Sequence, residues 1–193
     1  MKDEKQTLMH GMLPVSRPSS TLVIGLGNPI LGDDGVGWKV AEAVQEIITF
    51  DPRFQIPFRP VDSKIVHRRS CVEVDCLSLG GLSLMERMLG YERVILVDSM
   101  ETGQSPAGSV KVYALDELPN PSAGHSASAH DTSLVTALQT AQAIGADVPS
   151  RVDVVTIEAN NVYDFSEELS PPVAQAIPLA TEAVIRLLER KAP

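Results

Sequence analysis

The side chains in this sequence best suited to chemistry are the adjacent carboxylates Asp33 and Asp34, the strand-terminal Asp98 and the imidazole of His130. Carboxylate oxygens and imidazole nitrogens are donors for a transition metal. Carboxylates brought close together can instead share a proton and divide acid and base roles. Nucleophilic catalysis by serine or cysteine has no motif here, because no G-x-S-x-G elbow occurs, and an H-E-x-x-H zinc helix is also lacking. Cys71 and Cys76 form a C-x-x-x-x-C pair that would need two more ligands to hold zinc. The pair reads instead as small, half-buried residues flanking a strand. His67, among Arg68 and Arg69, reads as a solvated surface residue.

Elements of regular structure must bring these groups together. Thr21 to Ile24 is a short apolar run with β-branched residues and predicts a buried strand. Gly25 to Pro29 then reads as a turn, the two aspartates follow, and a helix is expected from Trp38 with Val40, Val44, Ile47 and Ile48 on its apolar face. In open α/β sheets the loops at the carboxyl ends of strands line the ligand crevice, which makes this loop a site candidate. Cys71 to Val74 predicts a second strand ending in the loop Asp75 to Ser78, followed by a helix over Leu82 to Leu89 that Gly90 stops. Arg93 to Asp98 is nearly all apolar, as in a strand buried on both faces. Its terminal Asp98 either caps the turn that follows or serves as a ligand, and the residues alone leave both open. Gly108 to Leu115 predicts a further strand. Asn120 to Ala129 is a Ser, Ala, Gly and Pro loop leading to a helix with Leu134, Leu138 and Ala141 on one face. Arg151 to Glu158 is the last strand. Ser170 and two prolines open the final helix, with Ile177, Val184 and Leu187 on one face and a bend expected at Pro178. This order of elements implies a three-layer α/β/α sandwich around a twisted, mostly parallel sheet of about five strands.

Residues 1–20 carry no apolar run of signal-peptide length and read as a poorly ordered tail, so that one domain spans 21–193. Residues 51–70, with three prolines, form a long connection with room for an extra hairpin. A net charge of −9 disfavours nucleic acid and anionic membranes as partners and suits a basic partner surface. With only two cysteines and no stretch of membrane-spanning length, the expectation is a cytoplasmic monomer.

The stretch Gly25, Gly27, Asn28, Ile30 or Leu31, Asp33, Asp34, Gly35, Gly37 resembles the N-terminal motif of the [NiFe]-hydrogenase maturation endopeptidases. Two further features are similar: Val97-Asp98-Ser99 matches the family's V-D-(A/S), and Ser128-Ala129-His130 its S-x-H before a helix. The resemblance implies a phosphorylase/hydrolase-like fold with Asp34, Asp98 and His130 as metal ligands and catalytic residues. Asp75, Ser78 and Asn28 are then expected in substrate recognition, although Cys76 and Leu77 replace both glycines of the family's D-G-G-T-x-G loop. His125, in the same loop as His130, matches no motif. At the start of a helix His130 would be held neutral by the dipole, the form that binds a metal. The implied activity is removal of the C-terminal extension of a [NiFe]-hydrogenase large-subunit precursor. The implied cofactor is nickel carried by that substrate, with no organic cofactor. Two other readings are a nickel-sensing binding module that does not cut, and a nucleotide-binding α/β protein. The latter is electrostatically poor, since Ile30 stands where the third glycine of a dinucleotide fingerprint belongs and the aspartates lie where a pyrophosphate would sit.

Overall fold

A computed structural model of the chain describes residues 20–54, 71–118 and 131–190. The expected hairpin after the first helix and the Ser/Ala loop lie largely outside these residues, as do the N-terminal tail, His67, His125 and His130. The elements are β1 (Ser20–Leu26), α1 (Val36–Phe50), β2 (Cys71–Leu77), α2 (Gly81–Met88), β3 (Arg93–Met100), β4 (Val110–Ala114), α3 (Asp131–Ala143), β5 (Arg151–Glu158) and α4 (Pro171–Glu189). The sheet order is β2-β1-β3-β5-β4, with β4 antiparallel at one edge and every other neighbouring pair parallel. The expected sandwich is therefore present, with five strands in the sheet.

β3 is buried at every position and lies at the centre of the sheet. Successive side chains of a strand point to opposite faces. Val23, Ile95, Val97 and Val155 pack with Val40 and Val44 of α1 and with Val173, Ala180 and Val184 of α4. Leu22, Ile24, Val94, Leu96 and Val154 pack with Leu84 and Met88 of α2 and with Leu134 and Ala141 of α3. Period-2 alternation in the strands meets period-3.6 stripes in the helices on both sides, which closes the two outer layers.

Several boundaries differ from expectation. β1 continues through Gly25 to Leu26, because parallel pairing with both β2 and β3 extends to Gly25 and satisfies the backbone there. β2 likewise runs through Asp75 and Cys76 to Leu77, paired with β1 along its length. α1 starts at Val36, after a single 3₁₀ turn at Gly32–Gly35, so the helix takes in Gly37. Ile47, expected on its buried face, is 38% exposed, whereas Val40, Val44 and Ile48 are buried as expected and Val36 and Ala41 are buried beside them.

At the amino end of the sheet, Arg93 forms a buried ion pair with Asp153 of β5 through Nε at 3.0 Å and Nη2 at 2.7 Å. The Nη1 of Arg93 donates to the carbonyls of Leu187 and Arg190 at 2.6 and 3.3 Å, and the Leu187 carbonyl also accepts from the Arg190 amide at 3.2 Å, so the end of α4 is tied to the sheet. Arg151 also donates to Asp153. Burial by itself would raise the Asp153 carboxyl, but the hydrogen bonds from Arg151 and Arg93 outweigh it and hold the group below its ordinary 3.8. The stabilisation is therefore complete above that pH and is lost as pH falls through the lower folded-state value. We predict that Asp153→Asn, which strands a buried guanidinium, destabilises the fold by about 3–5 kcal/mol. Urea melts should also show a shallower loss of stability below pH 4 in the variant than in the parent. Equal stability of the two at pH 7 would exclude this role.

Candidate active site

The loop between β1 and α1 is shaped by three glycines that admit no side chain. A Cβ on Gly25 would lie 2.2 Å from the Gly37 carbonyl oxygen, and one on Gly37 would lie 2.2 Å from that of Leu26 and 2.5 Å from that of Val97. Helix α1 thus starts in direct contact with the backbones of β1 and β3. Gly27 has a φ of +121°, and a Cβ there would meet the Asp34 carbonyl oxygen at 1.8 Å. The chain folds back on itself, and Asp34 is set down against the end of β1.

The two neighbouring acids have opposite fates. Asp33 is fully buried. Its Oδ1 accepts from the backbone N of Ser170 at 2.6 Å and its Oδ2 from the Ser170 hydroxyl at 2.9 Å. That amide belongs to the distant segment before α4. The cap position of α1 is Gly35, without a side-chain cap bond. Ser170 does stand at the cap position of α4, yet its hydroxyl serves Asp33 and not its own helix.

Asp34 is only partly buried. Its Oδ2 accepts from the backbone N of Asn28 at 2.6 Å and its Oδ1 from the Ser99 hydroxyl at 3.2 Å. A carboxylate offers about four lone-pair sites, so two remain for a metal or a water. Asp98 lies in β3 and is 1% exposed. By strand parity it shares the face of Val94 and Leu96, the side covered by α2 and α3, whereas Ser99 shares the face of Ile95 and Val97. Asp98 does not terminate the strand as expected, since β3 continues through Ser99 and Met100 in register with Ile157 and Glu158. The described part of α3 begins at Asp131, and the ligand role expected of His130 falls on a residue outside those described. Among the described residues there is no cluster of three or more His, Cys, Asp or Glu able to hold a metal.

Two of the three expected recognition residues, Asn28 and Ser78, bond within or to the same loop. The Asn28 side-chain oxygen accepts from the Ile30 amide at 3.2 Å, closing a tight Asx turn. The Ser78 hydroxyl donates to the Gly27 carbonyl at 2.7 Å, tying the end of β2 to the loop. Asp75 lies within β2, not in a loop, and accepts from Nε of Arg87 in α2 at 2.6 Å. Arg87 also reaches Glu73 and donates to the Tyr91 hydroxyl at 2.7 Å. Cys76, half-buried in β2, has its thiol pushed up by burial and by the nearby Glu42 and Asp75, which keeps it protonated and unsuited to attack. Sequence reasoning passed over three positions: Ser99, which orients Asp34, Ser170, which holds Asp33, and Glu158. Glu158 accepts from the amides of Thr102 and Gly103 at 2.9 and 2.8 Å, fixing the turn after β3. Only Ser99 had a usable signal, its place directly after Asp98. The other two act through pairings more than fifty residues apart in sequence.

This fold recurs among solved structures of hydrogenase-processing endopeptidases. The hydrogenase maturating endopeptidase HybD of E. coli aligns over 88% of this chain and 91% of its own, at 21% identity and a TM-score of 0.65. The [NiFe] hydrogenase maturation protease HybD of Thermococcus kodakarensis aligns over 87% and 98%, at 20% identity and a TM-score of 0.60. In sequence, the hydrogenase expression/formation protein HupD of Rhizobium leguminosarum bv. viciae is 26% identical over 167 residues, 86% of this chain and 73% of HupD. HupM of Azotobacter chroococcum is 27% identical over 172 residues, 88% of this chain and 72% of its own. The family model described as hydrogenase maturation protease matches residues 71–187. The chain belongs to the hydrogenase maturation protease family and is a peptidase.

The buried Asp33 makes a direct prediction. Asp33→Asn would place amide hydrogens against the Ser170 donors and should cost about 1–3 kcal/mol. Ser170→Ala, which removes one bond and leaves the backbone donor in place, should cost about 1 kcal/mol. Thermal melts of the two variants check the order; a larger loss in Ser170→Ala would contradict it.

Proposed function

We propose that this peptidase removes the C-terminal extension of a nickel-loaded [NiFe]-hydrogenase large-subunit precursor. The observation that supports the reading is the division between the two acids: Asp33 is sealed into the fold, while Asp34 stays partly exposed at the carboxyl end of the sheet with acceptor capacity to spare. Asp34, Asp98 and His130 are the ligands assigned to the nickel, which arrives as part of the substrate. Three protein donors leave such an ion under-coordinated, so groups of the precursor complete the shell and only a loaded precursor is held. Asn28 and Ser78 at the same loop, and Asp75 in β2, are assigned to recognition of the precursor. The cut is hydrolysis of a peptide bond whose carbonyl the metal polarises, with water as nucleophile and Asp34 or Asp98 as the base that takes its proton. The alternative, in which Asp34 and Asp98 share one proton in an aspartic-type mechanism, uses the same residues. We place the enzyme in the cytoplasm as a monomer; among the described residues no helix is long and apolar enough to cross a membrane.

The test mixes purified enzyme with large-subunit precursor, with and without nickel, and follows loss of the C-terminal peptide by mass. We expect cutting only of the loaded precursor, and weak affinity of the enzyme for free nickel. Binding of loaded precursor with no change of mass would make the protein a sensing module instead. Asp34→Asn and His130→Ala should each lower the cleavage rate by at least about a hundredfold with unchanged melting temperature, since a general base contributes on the order of 10²–10⁴-fold. Wild-type rates in either variant would remove that residue from the site.

A further inference from the structure

The segment between β5 and α4 carries large apolar side chains into solvent beside Asp34. Tyr163 is 73% and Phe165 84% exposed, and Ile30 of the β1–α1 loop is 40% exposed. The backbone beneath them is firmly bonded. The amide of Ser166 donates to the Ile30 carbonyl at 3.1 Å, that of Gly32 to the Ser166 carbonyl at 2.7 Å, and that of Asp33 to the Asn161 carbonyl at 3.0 Å. Leu31 and Ser166 form a parallel β-bridge. These apolar groups therefore stand on the same hydrogen-bonded unit that presents Asp34. An exposed apolar patch with a charged rim marks an interaction site, and rigid aromatic rings give contact area at little entropic cost. The rim here is acidic, from the exposed Asp164, Glu167 and Glu168, in a chain whose net charge is −9.

We propose that Ile30, Tyr163 and Phe165, edged by Asp164, Glu167 and Glu168, form the docking lip for an extended apolar segment of the precursor that carries lysine or arginine. The proposal rests on the cleavage function above and adds the surface and the chemistry of the segment it takes. Charge selects the occupant: a second copy of this chain would set the same acids against one another, whereas a basic, apolar segment meets both parts of the lip. Docking on the segment bonded to the loop that carries Asp34 lends binding energy to positioning the scissile bond.

The experiment measures KM and kcat on nickel-loaded large-subunit precursor for the parent, for Tyr163→Ser/Phe165→Ser, and for Asp164→Lys/Glu167→Lys/Glu168→Lys. Melting temperature is measured alongside. KM should rise at least tenfold in both variants with kcat within about twofold, and added salt should raise the parent's KM. The Tyr163→Phe/Phe165→Tyr swap should keep the parental KM. If the parent cuts the precursor and neither variant changes KM, the lip is not the docking surface, while the cleavage function stands. If the parent neither binds nor cuts loaded precursor, the function falls and the docking proposal with it. A dimer in sedimentation that dissociates in the serine variant at unchanged KM assigns the lip to self-association and overturns the proposal. Should the serine variant melt early, the exposed charge-reversal variant decides alone.

Discussion

The contact on which the site depends is the buried bond pair between Asp33 and Ser170. A fully buried carboxylate is costly unless its oxygens are satisfied, and here both are, one by a backbone amide and one by a hydroxyl. That requirement pins the β1–α1 loop to the start of α4. The Asn161 and Ser166 carbonyls add two backbone bonds to the same loop. With Asp33 held inward, its neighbour Asp34 faces the crevice, where Asn28 and Ser99 orient it.

The same logic operates at the far end of α4. Its first turn is reached by Asp33 and its last carbonyls by Arg93, so one helix is fastened to the sheet at both ends by buried charge. Arg93 is itself compensated by Asp153 on the neighbouring strand. The arrangement couples the site end of the sheet to its amino end through a rigid element, with the apolar face of α4 packed on β5 and α1 between the two. Close backbone approach does the remaining positioning. Because Gly25 and Gly37 have no side chains, α1 begins against the ends of β1 and β3, and Asp34 is drawn close to Ser99 and so to the strand that carries Asp98.

The edge strand β2 is held by a local network. Asp75 is fixed by Arg87, which in turn engages Glu73 and Tyr91. Glu73 is lowered below its ordinary range chiefly by the Tyr91 hydroxyl, with Arg87 adding to it. Ser78, one residue beyond the strand, fastens this edge to the Gly27 carbonyl. The end of β2 and the Asp34 loop therefore form one bonded surface.

Periodicity and punctuation in the sequence determined much of this by themselves. The apolar run of β3 implied burial on both faces, the limits of β5 coincide with Arg151 and Glu158, and alternating strand and helix patterns implied the sandwich. The motif glycines marked where backbones touch, and the adjacent acids marked the loop. Tertiary structure decided what local signals do not contain. Strand ends ran past the apparent turn at Gly25 and past Asp75, because pairing with a neighbour satisfies backbone groups regardless of local propensity. It decided which of two adjacent aspartates is buried, since only the fold brings Ser170 to one and Ser99 to the other. Ser170 looked like a helix cap because capping is a local rule, and it was recruited instead by an acid more than a hundred residues away. Long-range hydrogen bonds leave no periodic trace in a sequence, and that is the physical reason the separate partners of Asp33 and Asp34 had to be seen in three dimensions.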